Sequence, residues 1–93
     1  MPRRPPDRIL LRMLGARIRQ FREAKGWSQE ELGFRAGYER SSIQQYEAGE
    51  TEPLIGTLLD IVRALEIKPG DLLAGDVWDR IVARADARKD KKG

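Results

Sequence analysis

The sequence predicts an all-α fold for this 93-residue chain, and three observations support the prediction. Apolar residues recur at three- and four-residue steps, as in Leu11, Leu14, Ile18 and Phe21, and this is the period of an amphipathic helix. Helix start and stop signals separate the periodic stretches, and no segment alternates apolar and polar residues as a half-buried strand does. The length suits one small domain with a modest core.

Start and stop signals divide the chain into six predicted helices. They begin at or near Arg8, Ser28, Arg40, Leu54, Pro69 and Asp76. The clearest signal belongs to the second helix, where Ser28 is a good N-cap and Glu31, three residues later, completes a capping box. Lys25-Gly26 stops the first helix, and Gly37 and Gly49 end the second and third. The segment 50–53 is predicted to be a loop.

Three regions follow from this pattern. Residues 1–7 contain three prolines with Arg3 and Arg4, which predicts a flexible basic arm. Residues 8–75 form the predicted folded domain. Residues 76–93 form an amphipathic C-terminal helix and a polar tail, and the tail from Arg88 to Gly93 is predicted to fray.

The apolar stripe of the C-terminal helix needs a partner. Its members are Val77, Trp78, Ile81, Val82 and Ala85, with Arg80 and Arg84 predicted to lie off it. Such a stripe is buried either against the first and fifth helices of the same chain or against a second copy. The sequence leaves both arrangements open, and in the second the helix is a dimerisation element.

Composition argues against several classes of protein. The chain has no cysteine and no histidine, so thiolate metal sites, disulfides and the usual neutral-pH proton shuttle are absent. No Gly-rich phosphate loop precedes a helix, and no apolar run approaches the roughly 20 residues needed to span a bilayer. We therefore expect a cytoplasmic protein that is not an enzyme and that binds no metal or cofactor.

Charge is distributed unevenly around a net value of +3. Residues 1–25 carry eight basic and two acidic side chains, residues 26–75 carry four and nine, and residues 76–93 carry six and four. The middle of the chain is therefore acidic and both ends are basic. This pattern alone fits a solvated surface, so a nucleic-acid interpretation must come from the motifs.

The segment 28–49 has the outline of a helix-turn-helix, with two short helices on either side of a glycine turn. In such a motif the first helix meets the DNA backbone with its N-terminus, and the second lies in the major groove. Ile43 and Tyr46 give the second helix its apolar side. Polar side chains that can meet base edges are Arg40, Ser41, Gln44 and Gln45.

About two thirds of the chain, from Leu14 to Leu73, resembles the helix-turn-helix domain of phage lambda repressor-like regulators, specifically the xenobiotic-response-element family. The matching words include Lys25-Gly26-Trp27-Ser28-Gln29-Glu30-Glu31-Leu32, Arg40-Ser41-Ser42-Ile43, Tyr46-Glu47-Ala48-Gly49 and Leu58-Leu59-Asp60-Ile61-Val62-Arg63-Ala64-Leu65. The resemblance implies a bundle of five helices, which the C-terminal helix extends.

The resemblance also implies roles for individual residues. Gln29, next to Ser28, would bind a phosphate and brace the first side chain of the recognition helix. Arg22 and Glu47 would form an internal ion pair. The expected base contacts are Arg40, Ser41 and Gln45, with Gln44 beside them.

Two departures from the family pattern concern the acidic residues near the predicted interface. Glu50 and Glu52 stand in a loop that often carries basic residues, and Glu39 precedes the recognition helix. Phosphate attraction is therefore expected from arginines elsewhere. The candidates are Arg3, Arg4, Arg8 and Arg12, or Arg17 and Arg19.

Together these features predict a transcriptional regulator, such as a repressor, that binds double-stranded DNA as a homodimer on a pseudo-palindromic site. A single short recognition helix makes few base contacts, and two-fold pairing doubles them. Relatives of this kind include phage or plasmid repressors, restriction-modification controllers and antitoxins. The alternative is a protein-interaction module, such as an antitoxin that binds a toxin, which the acidic middle would suit.

Overall fold

The computed structural model describes the backbone of residues 7–92 and the side chains of residues 7–87. Arg3 and Arg4 of the predicted arm lie outside the described residues. The elements are α1 (Arg8–Ala24), α2 (Gln29–Ala36), α3 (Arg40–Ala48), α4 (Ile55–Leu65), α5 (Pro69–Leu73) and α6 (Asp76–Lys92). No strand occurs within 7–92, which confirms the predicted all-α class.

Local signals define most helix ends as predicted. Gly37 and Gly49 follow α2 and α3 with φ values of 88° and 72°, a left-handed conformation that glycine adopts without a steric penalty. The helix after the loop begins one residue late, with Leu54 as its N-cap. The tail from Arg88, which was predicted to fray, is helical in the structure as far as Lys92, where α6 ends.

The capping box predicted at α2 forms only in part. The Ser28 hydroxyl oxygen accepts a hydrogen bond from the Glu31 backbone N–H at 3.0 Å, as an N-cap should. The Glu31 carboxylate, however, accepts hydrogen bonds from the Arg35 guanidinium one turn later, at 3.2 and 3.3 Å. The Glu31 carboxylate therefore pairs with Arg35 and does not complete the capping box.

The core lies between α1, α2, α3 and α4, and α5 closes one end. Its fully buried side chains are Ile18, Leu32, Ile43, Ile61, Leu65, Leu72 and Val77. A Cβ at Gly15 of α1 would overlap the backbone carbonyl oxygens of Tyr46 and Glu47. The absence of a side chain at Gly15 therefore lets α3 pack directly on α1, which fixes the position of α3 on the core.

The C-terminal helix packs on the same domain, against α1 and α5. Val77 is fully buried and Ile81 half-buried, whereas Trp78 and Val82 are 55% and 41% exposed and Ala85 is exposed. The predicted stripe is thus divided between the protein interior and solvent. The prediction placed the wrong side of α6 against the domain, because it took only the apolar side chains into account.

Two arginines of α6 complete its contact with α1. The guanidinium groups of Arg80 and Arg84 lie 3.1 and 3.0 Å from the carboxylate of Asp7. Asp7 was assigned to the arm from sequence, but it is the N-cap of α1 and accepts a hydrogen bond from the Leu10 backbone N–H. These bonds place Asp7 in the folded domain and Arg80 and Arg84 on the packed side of α6.

Candidate nucleic-acid interface

A buried ion pair joins α1 to α3 beneath the predicted recognition surface. Arg22 donates to Glu47 through Nε at 2.7 Å and Nη2 at 2.9 Å, a bidentate geometry. Its Nη1 donates to the Trp27 carbonyl oxygen at 2.7 Å. The hydrogen bond to Glu47 raises the pKa of Arg22 above its ordinary value despite burial. The ion pair implied by the resemblance is therefore confirmed.

Gln29 extends this buried network toward the surface. Its side-chain Nε2 donates to Glu47 Oε1 at 3.1 Å, so one carboxylate holds residues from both α1 and α2. Because a carboxylate only accepts hydrogen bonds, the Gln29 amide must turn its nitrogen inward to Glu47. The second N–H of that nitrogen and the amide oxygen make no hydrogen bond to residues 7–87.

Three of the predicted contact residues meet at one shallow cleft. Ser28, Gln29, Glu30 and Arg40 line a volume of about 280 Å³ where the N-termini of α2 and α3 approach each other. The Ser28 oxygen accepts the capping bond, which leaves its own hydrogen for an outside acceptor. The cleft therefore presents hydroxyl, amide and guanidinium donors beside the carboxylate of Glu30, and the three donors suit a phosphate oxygen.

The exposed side of α3 carries the four polar side chains predicted to meet bases. Arg40, Ser41, Gln44 and Gln45 are all exposed. Ile43, by contrast, is fully buried and Glu47 is 9% exposed on the opposite side. The helix thus has the divided character that groove reading requires. Gln45 also accepts a hydrogen bond from the Thr51 hydroxyl at 3.4 Å, a contact that orients its amide.

Charges around this surface are mixed. The predicted acidic residues Glu39, Glu50 and Glu52 are exposed, and Glu39 is the α3 N-cap without a side-chain capping bond. Arg12 is exposed and packs beside Gly49, which follows the last residue of α3. A Cβ built at Gly49 would lie only 2.9 Å from the Cα and Cγ atoms of Arg12. Among the candidate arginines that the structure describes, Arg12 therefore lies beside the C-terminal end of α3.

Two of the other candidate arginines of α1 are engaged within the chain, whereas Arg8 is not among the residues that form ion pairs within 7–87. Arg17 donates to the Ala74 carbonyl oxygen at the end of α5. Arg19 forms an exposed intrahelical pair with Glu23 at 3.4 Å. Arg8 is exposed at the start of α1.

Sequence reasoning missed a pair of cationic side chains over the ring of Trp27, the residue before the N-cap of α2. The guanidinium carbon of Arg35 lies 4.2 Å, and the ammonium nitrogen of Lys25 5.1 Å, from the centre of the Trp27 ring. Both distances are typical of cation–π contacts. Trp27 itself is partly buried and packs against the core. The sequence spacing of these three residues did not predict the cation–π contacts, because the contacts form between the turn before α2 and the last turn of α2.

Other kinds of site find no support in the described part of the chain. No group of three or more potential ligands could hold a metal ion among the described residues. None of the helices there has both the length and the apolar character required to cross a membrane.

Two short helices joined by a glycine turn, with the second presenting a polar face, define a helix-turn-helix protein. The family model HTH_3, described as helix-turn-helix, matches residues 18–72, which is more than half of the chain. The chain therefore belongs to this family of lambda repressor-like domains.

Curated relatives with sequence similarity are named as regulators and repressors. The HTH-type transcriptional regulator y4dL of Sinorhizobium fredii is 45% identical over 51 residues, 55% of this chain and 26% of that protein. Repressor protein C2 of Salmonella phage P22 is 38% identical over 71 residues, 76% of this chain and 33% of that protein. The chain thus spans about a quarter to a third of these two relatives, which are not enzymes by name.

Solved structures agree in fold. The restriction-modification controller protein C.AhdI of Aeromonas hydrophila is 39% identical, with a TM-score of 0.66 over 67% of this chain and 94% of that chain. The clp gene regulator ClgR of C. glutamicum is 28% identical, with a TM-score of 0.68 over 75% and 90%. These solved structures therefore agree with the helix-turn-helix family assignment, and their names are those of a controller protein and a gene regulator.

Proposed function

We propose that this chain regulates transcription by binding a specific DNA sequence, with α3 in the major groove. The observation that carries the proposal is the exposed polar face of α3, set beside a Gln29 side chain that a buried carboxylate holds in place. An arginine and two glutamines on one short helix can address guanine and adenine edges. Because α3 packs directly on α1 at Gly15, its angle to the groove is fixed by the core.

In this proposal the first helix of the motif positions the second. Ser28 and the free N–H of Gln29 donate to a backbone phosphate at the N-terminus of α2, where backbone N–H groups also favour an anion. Arg40 stands at the entrance of the groove between that phosphate and the first base. Ser41, Gln44 and Gln45 read the following base edges. Arg12 and the arm residues Arg3 and Arg4 supply further phosphate contacts, which offset Glu39, Glu50 and Glu52.

We also propose that the chain acts as a homodimeric repressor in the bacterial cytoplasm. Two copies double the number of base contacts and match a pseudo-palindromic site. The named roles of the phage repressor and the restriction-modification controller support gene control as the biological setting. Membership of the xenobiotic-response-element subfamily is part of the same proposal, and it rests on the motif words quoted above.

Selection of bound fragments from random DNA, followed by titration of the selected duplex, tests this function. We expect one preferred sequence, an affinity far above that for a scrambled duplex, and a steep fall in affinity with salt. Gln45→Ala should weaken binding to the preferred duplex, whereas Gln20→Ala, which removes an exposed glutamine of α1, serves as a matched control. Failure to enrich any sequence, together with salt-independent binding, would favour the protein-interaction alternative.

A further inference from the structure

Glu39 places a carboxylate at the N-terminus of α3, directly before Arg40. The side chain of an N-cap residue usually accepts a hydrogen bond from a backbone N–H of the first helical turn. Glu39 is the N-cap of α3, but its exposed side chain makes no such bond. It also forms no ion pair with residues 7–87. Both carboxylate oxygens are therefore available to a ligand as far as the described part of the chain is concerned.

The backbone that carries Glu39 is held firmly on both sides. The Tyr38 backbone N–H donates to the Gly33 carbonyl oxygen at 2.8 Å, and the Tyr38 hydroxyl donates to Asp60 at 2.7 Å. A Cβ built at Gly33 would lie 2.5 Å from the Tyr38 carbonyl oxygen, so the turn before α3 packs directly on α2. On the helix side, the Glu39 carbonyl oxygen accepts from the Ser42 backbone N–H at 3.1 Å. The fold thus fixes the point from which the carboxylate extends.

A carboxylate at the start of a recognition helix meets two kinds of group on DNA. Phosphates repel it on every sequence. A base edge can bind it only through a hydrogen-bond donor, because a carboxylate only accepts. In the major groove cytosine N4 and adenine N6 are donors, whereas guanine and thymine present acceptors. Adenine also presents N7, an acceptor that would face the second carboxylate oxygen, so cytosine is the base that suits a glutamate.

We propose that Glu39 reads the DNA sequence by accepting a hydrogen bond from the amino group of a cytosine, while Arg40 beside it donates to a guanine. This inference rests on the proposed function and adds a residue to the reading surface. On the correct sequence the bond to cytosine compensates for the repulsion between Glu39 and the phosphates. On other sequences the repulsion has no compensation, and such a penalty on the wrong partner increases specificity. The proposal gives a reason for an acidic residue at the entrance of α3.

Glu50 provides the matched comparison at the other end of α3. It is also exposed and also forms no ion pair with residues 7–87. Its backbone N–H donates to the Gln45 carbonyl oxygen at 3.0 Å, so it belongs to the turn that closes the C-terminus of the helix. Residues near the N-terminus of a recognition helix contact base edges. We therefore assign base reading to Glu39 and phosphate repulsion alone to Glu50.

The test is a selection from random DNA with the wild-type chain and with Glu39→Ala, followed by titration of the selected duplex and a scrambled duplex. We expect the wild-type chain to prefer cytosine at one position, and Glu39→Ala to lose that preference alone. The variant should bind the selected duplex about tenfold or more weakly, yet bind the scrambled duplex at least as tightly as the wild type. Glu50→Ala should strengthen binding to both duplexes by a similar factor. Thermal melts of Glu39→Ala should match the wild type, because this side chain does not cap α3.

Glu39→Gln gives a gain of function to look for. Glutamine pairs with adenine N6 and N7 together, so the preferred base at the same position should change from cytosine to adenine. Tighter binding of Glu39→Ala to both duplexes would overturn the inference, since Glu39 would then only repel phosphates. A wild-type preference for guanine or thymine at the position that Glu39→Ala relaxes would overturn it as well.

The same selection separates this inference from the proposed function. A wild-type chain that enriches no sequence would overturn both. A wild-type chain that enriches a sequence in which neither Glu39→Ala nor Glu39→Gln changes any base preference would overturn only the role of Glu39.

Discussion

Gln29 of α2 donates a hydrogen bond of 3.1 Å to Glu47 of α3, on the same carboxylate that pairs with Arg22. The Glu47 carboxylate of α3 therefore joins α3 to α2 through Gln29 and to α1 through Arg22. Because Glu47 can only accept, it fixes which end of the Gln29 amide points outward. A phosphate contact from Gln29 would thus be preorganised by the fold.

Replacing Gln29 by methionine should weaken binding to every DNA sequence by a similar factor. Gln29→Met keeps the length of the side chain but removes the N–H that we assign to a phosphate. We expect a loss of about 1–2 kcal/mol on preferred and scrambled duplexes alike, because phosphate contacts carry no sequence information. Fluorescence anisotropy on both duplexes measures this, with Gln20→Met as the control. A loss confined to the preferred duplex would assign Gln29 to a base instead.

Removing Glu47 should destabilise the fold itself. Its side chain is 4% exposed, and Glu47→Ala leaves the Arg22 guanidinium buried without its partner. Loss of one member of a buried pair costs about 3–5 kcal/mol. Glu50→Ala, at an exposed site three residues away, should change the free energy of unfolding by less than about 0.5 kcal/mol. Urea unfolding of both variants provides the comparison, and similar midpoints would refute the structural role of the pair.

Asp7 should make stability depend on acid pH. The backbone hydrogen bond from Leu10, together with Arg80 and Arg84, holds the pKa of Asp7 below its ordinary value of 3.8 despite burial. A lowered pKa in the folded state means that the unfolded chain takes up the proton first. The stabilisation is therefore complete above the unfolded pKa and is lost as pH falls through the lower folded value.

The matched variant is Asp7→Asn, which keeps a capping side chain but cannot form the ion pairs. Its deficit in unfolding free energy relative to wild type should be constant near neutral pH and should shrink below about pH 4. Thermal melts across this range give the measurement. A deficit that stays constant down to about pH 2 would show that the charge of Asp7 is not what Arg80 and Arg84 recognise.

Deleting residues 1–6, and thus keeping the Asp7 cap, should spare the fold and reduce DNA affinity. The deletion removes Arg3 and Arg4, whose charges we expect to contact phosphates. The slope of log affinity against log salt should then become shallower by about 2, at roughly 0.9 for each phosphate contact. An unchanged slope would show that the arm takes no part in binding.

Local chemistry allowed much of this fold to be predicted. The helix around Leu11, Leu14 and Ile18, the Ser28 cap and the Gly37 turn depend on residues within one or two turns of each other, so their signals lie in short sequence windows. The homology-implied pair of Arg22 and Glu47 was also found in advance, because the resemblance covered both positions.

Long-range polar contacts were not predictable in the same way. Asp7 and Arg80 are 73 positions apart, and neither sits in a pattern that indicates the other. The apolar stripe predicted on α6 placed Trp78 and Val82 together with Val77 and Ile81, but only Val77 and Ile81 pack on the domain, and the ion pairs of Arg80 and Arg84 lie on the same side. The hydrogen bond from Gln29 to Glu47 depends on how α1, α2 and α3 pack together, and residue spacing in the sequence does not predict that packing.

Base reading by α3 is the central claim, and a paired selection from random DNA tests it most directly. The selection is run with the wild-type chain and with Arg40→Ala, whose side chain is exposed and so should not alter the fold. We predict that the variant loses its preference at one base pair of each half-site, with a cost of about 1–3 kcal/mol on the wild-type sequence, and keeps the preference elsewhere. An unchanged preferred sequence, or an equal loss of affinity for every sequence, would contradict the assignment of α3 as the helix that reads the bases.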